Sequence, residues 1–432
     1  MPHLIPTREI KAKERELKQL WTLLQLHIAG RRTFSKIHEL QQELRNLYSE
    51  AKSIQWRETI QRIGKVKDAK KFWSSVKRMC GGQGRARAEV LKGMDGNLIE
   101  TEADRTNAFA QRLEATCTIS DAENLRFDTE FEKKIHAEWE EHPVRTEETI
   151  RLASVPSVGL DGYCTLGQVK QELRWSREKA PGKSGISKRY LMEAGETVLS
   201  HLTYLFNCCL ATGYFPPSLK HAQVVMIPKV PKPQSVADYR PISLLEVPGK
   251  LLERIINLRV AKELEQCDVF SRNQFGFRPK RWTQTAITLG TELIAQARSK
   301  KRPVVVILRD VSKAFDKVWH LGLKVKIQRL HRILPDRIRS LLCTFLDGRT
   351  AEIRSEQPTP VFNLKAGVPQ GAILSPMLYN LYVSDLPAPV RPNSHDIIYA
   401  DDISQIVVGG WKPEQVQSAV MTEINRVSKF EN

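Results

Sequence analysis

Apolar residues in the first part of the chain recur at helical spacing. Leu17, Leu20 and Leu24 lie three or four positions apart with Lys and Arg between them, and this pattern runs from residue 8 to about residue 79. It predicts a set of basic helices that ends at the glycine-rich stretch MCGGQGRARAE. Lys and Arg outnumber Asp and Glu by more than two to one here. Such an excess is typical either of a solvated helical face or of contact with nucleic acid.

The pattern changes twice further along the chain. Residues 100–150 are acidic and polar, which predicts a linker or an exposed helical subdomain without catalytic residues. From about residue 166, LGQVKQELRW, ETVLSHLTYLFNCCLATG and PGKLLERIINLRVAKELEQC have helical spacing, and Gly213 should end the second helix. HAQVVMIPKV predicts a strand, RPVVVILRD a buried strand, and HDIIYADDISQIVVGG a hairpin.

Length and pattern together predict several folding units. A chain of 432 residues is too long for one compact core, so we expect two or three units with at least one large α/β domain. We assign a basic helical region to 1–95 and an acidic linker or helical subdomain to 96–165. A mixed domain follows in two parts, 166–300 and 301–432.

Charge and cysteine content narrow the class of protein. The formal net charge of +18 favours a polyanionic partner, most simply nucleic acid. A membrane surface is the competing partner, but the sequence shows no basic amphipathic helix with an aromatic face that would favour it. The seven cysteines form no CxxC pair, which indicates reduced thiols and no zinc; Cys208 and Cys209 should lie in the core. Without an apolar stretch of about 20 residues, we expect an intracellular protein, nuclear or cytoplasmic, with no membrane partner.

Adjacent carboxylates in the hairpin pose an electrostatic problem. Asp401 and Asp402 stand side by side between Ile and Val residues, where their repulsion needs a cation such as Mg²⁺. A site that transfers phosphoryl groups with two metal ions needs a further acid from a neighbouring strand, and Asp310 ends RPVVVILRD. Each feature alone is also ordinary turn or helix-cap chemistry.

Five segments occur in a recognisable order between residues 227 and 402. They are IPKVPKPQSVADYRPISLL, QFGFRPK, DVSKAFDKVWH, AGVPQGAILSPMLYNLYVSDLP and YADD. With them, the region from about 175 to 430 resembles the reverse transcriptase of non-LTR (LINE-type) retrotransposons, and most closely the jockey-like branch. Group II intron maturases and telomerase-like polymerases share the acids, but DVSKAFDKVWH is less similar to their sequences. The reverse transcriptase domain is expected at about 210–432.

The resemblance implies an α+β right-hand polymerase fold, with fingers at 166–300 and palm at 301–432. It implies an RNA-directed DNA polymerase that adds dNTPs to the 3′-hydroxyl of a DNA primer on an RNA template. Asp310, Asp401 and Asp402 match the acids that bind two Mg²⁺ ions in this family, with Mn²⁺ as an alternative.

The resemblance also implies roles for residues that bind the incoming nucleotide. Lys229 and Arg240 match residues of the fingers that clamp the triphosphate, a task suited to an ammonium and a forked guanidinium. Phe315 matches the aromatic ring under the incoming sugar, which leaves no room for a 2′-hydroxyl. From charge and pattern alone these residues would be a solvated basic loop and a core side chain.

The loop GVPQG and the motif QFGFR carry further matches. Gln370 matches a residue that contacts nucleotide and template. Gly371 is expected to let the nucleotide approach the backbone closely, and Gly367 is expected to let the nucleic acid approach it closely. Arg278 is expected to be a template contact or a structural contact. His320 belongs to the motif DVSKAFDKVWH without an assigned role.

Some features depart from the family pattern. Arg309 replaces an apolar residue, and strand alternation points it to a helix-covered face, where an unpaired guanidinium should destabilise the palm. After YADD only one helix is expected, so the further palm strand and the thumb of the family would be absent, as would the endonuclease domain before residue 1. We therefore expect a fragment truncated at both ends. The alternative function is that of a non-catalytic RNA-binding or decayed retroelement protein.

Overall fold

The computed structural model describes most of the chain from residue 89 onward and two helical stretches before it. The described residues are 8–25, much of 36–54, 91–93, 96–99, 101–117, 129–141, 159–176, 180–355, 359–391, 393–409 and 413–431. The chain divides into two units, Met1–Ala88 and Glu89–Asn432. The boundary lies close to the predicted one at residue 95.

The first unit contains the predicted basic helices. Helix α1 spans Arg8–Gln25, and helical residues recur between 36 and 54. Ile10 of α1 is buried, as are Ile37 and Leu40 of the second stretch. The helical prediction is confirmed for these stretches, whereas residues 55–79 lie outside the described residues.

The second unit contains helices between and around three sheets. Its helices are α2 (Glu102–Thr116), α3 (Thr129–Glu141), α4 (Leu166–Trp175), α5 (Lys188–Glu193), α6 (Gly195–Thr212), α7 (Val247–Gln266), α8 (Thr283–Ser299), α9 (His320–Arg329), α10 (Asp336–Leu346), α11 (Ser375–Tyr382) and α12 (Pro413–Glu431). Its strands are β1 (Leu91–Lys92), β2 (Leu98–Ile99), β3 (Ala222–Pro228), β4 (Tyr239–Leu244), β5 (Val304–Arg309), β6 (Arg349–Ile353), β7 (Phe362–Leu364), β8 (Ser394–Tyr399) and β9 (Asp402–Val408).

Local sequence signals explain where several helices begin and end. Thr165 and Gln168 form a reciprocal capping box at the start of α4, which begins and ends where the spacing predicts. Gly213 adopts a φ of 63° directly after α6, and this left-handed conformation ends the helix as expected. Helices α5, α8 and α10 and strands β1, β2, β4, β6 and β7 were not predicted, although Ile338, Leu341 and Phe345 of α10 stand at helical spacing.

Two sheets position the functional residues. One has the order β4-β3-β6-β7, in which β3 and β6 are parallel and the outer pairs antiparallel. The other has the order β5-β9-β8 and is antiparallel throughout, so the predicted hairpin of β8 and β9 is confirmed. A two-stranded ribbon of β1 and β2 forms the third sheet.

Strand β5 is less buried than its sequence predicts. The continuous apolar run predicts a buried strand, yet Val306 is 44% exposed and Leu308 is 75% exposed. The reason is position, since β5 lies at an edge of its three-stranded sheet and alternate side chains reach solvent.

The expectation of an unpaired Arg309 is wrong. Its guanidinium Nη2 donates a hydrogen bond to the carbonyl oxygen of Ile424 on α12, at 3.0 Å. Strand alternation therefore predicted the correct face for Arg309, but the helix that covers this face supplies an acceptor.

No helix in the described part of the chain has the length and apolar content that a bilayer crossing requires.

Candidate active site

The three predicted acids lie at one end of the three-stranded sheet, where Asp310 and Asp401 line a common cleft and Asp402 does not. Asp310 directly follows β5, and Asp401 lies in the turn between β8 and β9. In the register of this sheet Arg309 lies opposite Ile403, and Asp402 lies opposite Tyr399. The end of β5 is therefore next to the hairpin turn, as the sequence predicts.

Electrostatics confirm that these carboxylates are neighbours. Partial burial, together with repulsion from Asp402 and Asp310, raises the pKa of Asp401, while Arg240 acts in the opposite direction. Asp310 and Asp402 are exposed. Like charges held this close favour an added cation.

The segment QFGF holds the turn that carries Asp401. Gln274 is 2% exposed, and its amide bonds both backbone groups of Ala400: Oε1 accepts from the Ala400 N–H at 2.9 Å, and Nε2 donates to the Ala400 carbonyl at 3.1 Å. Ala400 has a φ of 59°, which is uncommon for a residue with a side chain. Gly276 packs so closely that a Cβ there would lie 2.3 Å from the Ala400 nitrogen.

A cleft of about 840 Å³ opens beside the acids. Seven of the residues singled out in the sequence line it: Lys229, Arg240, Asp310, Phe315, Gln370, Gly371 and Asp401. Asp310 and Asp401 form what we call the acid wall, and Lys229 and Arg240 form the cation wall. Residues from separate motifs therefore share one space of nucleotide size.

The two cations are loosely held. Arg240 is an exposed residue of β4, opposite Ile227 in the register with β3. Lys229, which directly follows β3, is also exposed, and its ammonium is 3.4 Å from the carbonyl oxygen of Ala237. Both cationic groups are therefore free to bind an anion that enters the cleft.

Phe315 is fixed by its aromatic neighbours. Its ring stacks on Tyr379 of α11 with centroids 4.6 Å apart, and meets the edge of Phe277 at 6.2 Å. The carbonyl oxygen of Phe315 accepts a hydrogen bond from the Val368 N–H at 2.7 Å. A rigid ring in a cleft wall restricts the shape of any molecule bound against it.

Two glycines let the GVPQG loop approach its neighbours. Gly367 has a φ of 87°, and a Cβ there would lie 2.6 Å from the carbonyl oxygen of Asp316. Gly371 has a φ of 132°, and a Cβ there would lie 2.5 Å from the carbonyl oxygen of Ser243. Both positions need glycine for conformation and for space. Gly367 is buried against protein backbone, outside the residues that line the cleft.

The carboxylates beside the cleft are chemically suitable ligands for a divalent metal ion. Among the described residues, no three His, Cys, Asp or Glu side chains converge closely enough to form a ready metal-binding group. Asp310 and Asp401 nevertheless line one cleft and repel each other, and carboxylate oxygens are the ligands that Mg²⁺ prefers. The residues present therefore fit such an ion.

Comparison with known proteins gives the family. Residues 228–429 match the family described as "Reverse transcriptase (RNA-dependent DNA polymerase)". This part of the chain is similar to reverse transcriptases. The match begins somewhat later than the predicted boundary near residue 210.

Two similar proteins come from mobile elements of Drosophila melanogaster. The RNA-directed DNA polymerase from mobile element jockey is 31% identical over 72% of the chain and 33% of its own length. The probable RNA-directed DNA polymerase from transposon X-element is 35% identical over 54% of the chain and 26% of its own length. The chain thus spans a quarter to a third of these relatives. The resemblance to jockey-like non-LTR retrotransposons is confirmed.

Two further residues of the predicted motifs bond to other groups of the protein. Arg278 is 7% exposed; its Nε and Nη2 donate to the carboxylate of Glu265 at 2.8 and 2.6 Å. The structure thus favours a structural contact over a template contact. His320 gains a role, because its Nε2 lies 2.7 Å from the Gly367 carbonyl oxygen and must donate to it. Burial lowers the pKa of His320 to about 4, so the ring is neutral.

Three residues of the site escaped the sequence analysis. Gln274 lies within the QFGFR motif, and Asp316 lies within DVSKAFDKVWH, so both were in view without a role. Arg112 of α2 lines the cleft and comes from the acidic stretch in which no site residue was expected. Its Nη2 donates to the carbonyl oxygen of Ala237 at 3.2 Å. Nothing in the local sequence around Arg112 signals this position.

Proposed function

We propose that this chain is an RNA-directed DNA polymerase that adds dNTPs to the 3′-hydroxyl of a DNA primer on an RNA template. The observation that carries the proposal is the cleft, in which the acid wall and the cation wall face a common space. The acid wall suits the reacting phosphate and hydroxyl, and the cation wall suits a triphosphate. The names of the relatives support the same activity.

Each group of residues has a separate task in this proposal. Lys229 and Arg240 bind the phosphates of the incoming nucleotide, and their exposure lets them close on it. Phe315, fixed by its stacking on Tyr379, excludes a 2′-hydroxyl. Gln274 holds the turn so that Asp401 keeps its position beside Asp310.

Divalent ions complete the site. Reverse transcriptases as a family use them, and Asp310, Asp401 and Asp402 would hold two Mg²⁺ ions, with Mn²⁺ as the alternative. When bound, such ions lower the pKa of the attacking hydroxyl and neutralise charge on the phosphates. We further assign fingers to 166–300 and palm to 301–432, within the α/β unit described above.

Primer extension on an RNA template with Mg²⁺ tests the proposal. We expect extension by the wild-type chain and none by Asp401→Asn, with RNA binding measured in parallel. Asp268→Asn is the matched control, since Asp268 forms an exposed ion pair with Arg272 away from the cleft residues. RNA binding without extension in any of the three proteins would support the non-catalytic alternative.

A further inference from the structure

Asp316 is a half-buried acid with no part in the function proposed above. It lies six residues after Asp310, in the turn between β5 and α9, and it lines the same cleft. Its Oδ1 accepts a hydrogen bond from Nε2 of Gln370 at 2.9 Å. Gln370 is the residue of the GVPQG loop that the family resemblance places against nucleotide and template.

This hydrogen bond fixes which end of the Gln370 amide faces Asp316. An ionised carboxylate only accepts hydrogen bonds, so it must face the NH₂ group of the amide. Burial raises the pKa of Asp316, but Arg112, Lys313 and Lys229 and the bond from Gln370 favour the ionised form. These cations come from α2, from the turn after β5 and from the end of β3.

The other end of the amide is open to a ligand. The backbone of Gln370 is held in place, because its carbonyl accepts from the Ser243 N–H at 2.8 Å. Within the described part of the chain, no N–H or O–H group donates a hydrogen bond to Oε1 of Gln370. This oxygen is also not one of the side-chain atoms that are buried without a hydrogen-bond partner. An acceptor oxygen is therefore accessible where Gln370 lines the cleft.

We propose that Asp316 is a positioning residue that orients the Gln370 amide so that its carbonyl oxygen, and not its NH₂ group, meets the ligand. The site then selects a ligand that presents a hydrogen-bond donor at this point. This inference rests on the function proposed above, since the ligand is the incoming nucleotide or the template strand.

The chemistry of the substrates narrows the donor to a sugar hydroxyl. A polymerase accepts all four bases, and their edges differ in the pattern of donors and acceptors. Sugar hydroxyls are common to all nucleotides. The candidates are the 3′-hydroxyl of the incoming dNTP and a 2′-hydroxyl of the RNA template.

Equilibrium binding tests the inference without requiring catalysis. The full chain is assembled with an RNA template and a DNA primer that ends in a dideoxynucleotide, and the Kd is measured for the next dNTP and for its 3′-deoxy analogue. A second series replaces the RNA template by DNA. For the wild-type chain, removal of one of the two hydroxyls should raise the Kd of the dNTP roughly three- to tenfold, which is the effect of losing one neutral hydrogen bond.

Variants distinguish orientation from simple support of the fold. Asp316→Ala should reduce the hydroxyl preference to that of Gln370→Met, which has no amide. Asp316→Asn can still accept from the Gln370 NH₂ group and should restore part of the preference. Asp268→Asn is the charge control and should bind like wild type.

Several outcomes would overturn the inference. One is a wild-type Kd that is the same with and without each hydroxyl. Another is an Asp316→Ala protein that melts at a lower temperature but keeps the wild-type preference, since Asp316 would then only support the fold. A third outcome separates the two proposals. If the wild-type chain keeps the hydroxyl preference but does not extend an unblocked primer, the proposed polymerase function fails while the orientation of Gln370 remains supported.

Discussion

The acid wall and the cation wall of the cleft are built in opposite ways. Asp401 lies in a hairpin turn whose backbone is bonded on both sides by Gln274. Lys229 and Arg240 are exposed, and the Lys229 ammonium has only a long contact to a backbone carbonyl. In the proposed polymerase, the turn that must hold Asp401 in a fixed position is thus braced by buried hydrogen bonds, whereas the cations proposed to close on a triphosphate are loosely held.

The largest expected effect comes from breaking the brace of the acid wall. In Gly276→Ala the new Cβ would lie 2.3 Å from the Ala400 nitrogen, so the turn must move. We expect a loss of about 3 kcal/mol in the free energy of unfolding, together with loss of extension. Denaturant unfolding and primer extension measure both.

Gly167→Ala is the matched control for this change. A Cβ at Gly167 meets its nearest atom at 3.7 Å, an ordinary contact, so stability should stay within about 0.5 kcal/mol of wild type or rise slightly. Equal losses in the two variants would contradict a special role for the contact between Gly276 and Ala400.

Acid should weaken the contact between His320 and the GVPQG loop. His320 has a pKa of about 4 in the folded chain against 6.5 ordinarily, so the unfolded chain takes up its proton at higher pH. Stability from this group is complete above about pH 6.5 and is lost as the pH falls towards 4, by at most about 3 kcal/mol. Urea unfolding at a series of pH values measures the loss.

A His320→Gln variant isolates this contribution. A glutamine amide can still donate to the Gly367 carbonyl oxygen but does not titrate, so its stability should fall less steeply with acid than that of wild type. Parallel pH curves for the two proteins would refute the assignment.

Changes to the cation wall should affect binding and leave stability unchanged. We expect Lys229→Ala and Arg240→Ala each to weaken dNTP binding by about tenfold, the equivalent of about 1.4 kcal/mol. Their melting temperatures should match wild type because both side chains are exposed. Lys232→Ala, which changes another exposed lysine outside the cleft lining, should bind like wild type. A large loss of stability in Lys229→Ala would abolish the contrast between the walls.

The smallest effect concerns the strand that delivers Asp310. Because Arg309 donates to the Ile424 carbonyl, Arg309→Leu should lower the free energy of unfolding by about 1 kcal/mol instead of raising it. Arg309→Lys, which keeps a donor, should lose less. A melting temperature that rises in Arg309→Leu would restore the view that this guanidinium destabilises the sheet.

Sequence reasoning succeeded where chemistry and local pattern coincide. Asp310 and Asp401 follow β-branched runs whose strands were predicted, and the mutual repulsion of adjacent acids was enough to indicate a shared site. The end of α6 at Gly213 followed from the same kind of local signal. The family resemblance then added Lys229 and Arg240, which charge alone would have left as solvated residues.

Contacts between distant parts of the chain were beyond that reasoning. Gln274 and Ala400 are 126 residues apart, and no periodicity links them. Arg112 reaches the cleft from a stretch whose composition predicts a linker or an exposed helical subdomain without catalytic residues. The exposure of Leu308 depends on the order of strands in the sheet, which an apolar run does not encode.

The edge position of β5 has a practical consequence for handling the protein. Among the described strands β5 pairs only with β9, so no described strand pairs with its outer backbone edge, next to the exposed side chains of Val306 and Leu308. Such an edge is a template on which another chain can add a strand, and apolar side chains beside it favour that addition. We therefore expect purified protein to self-associate as its concentration rises, and assays of the cleft belong at the dilute end of the accessible range.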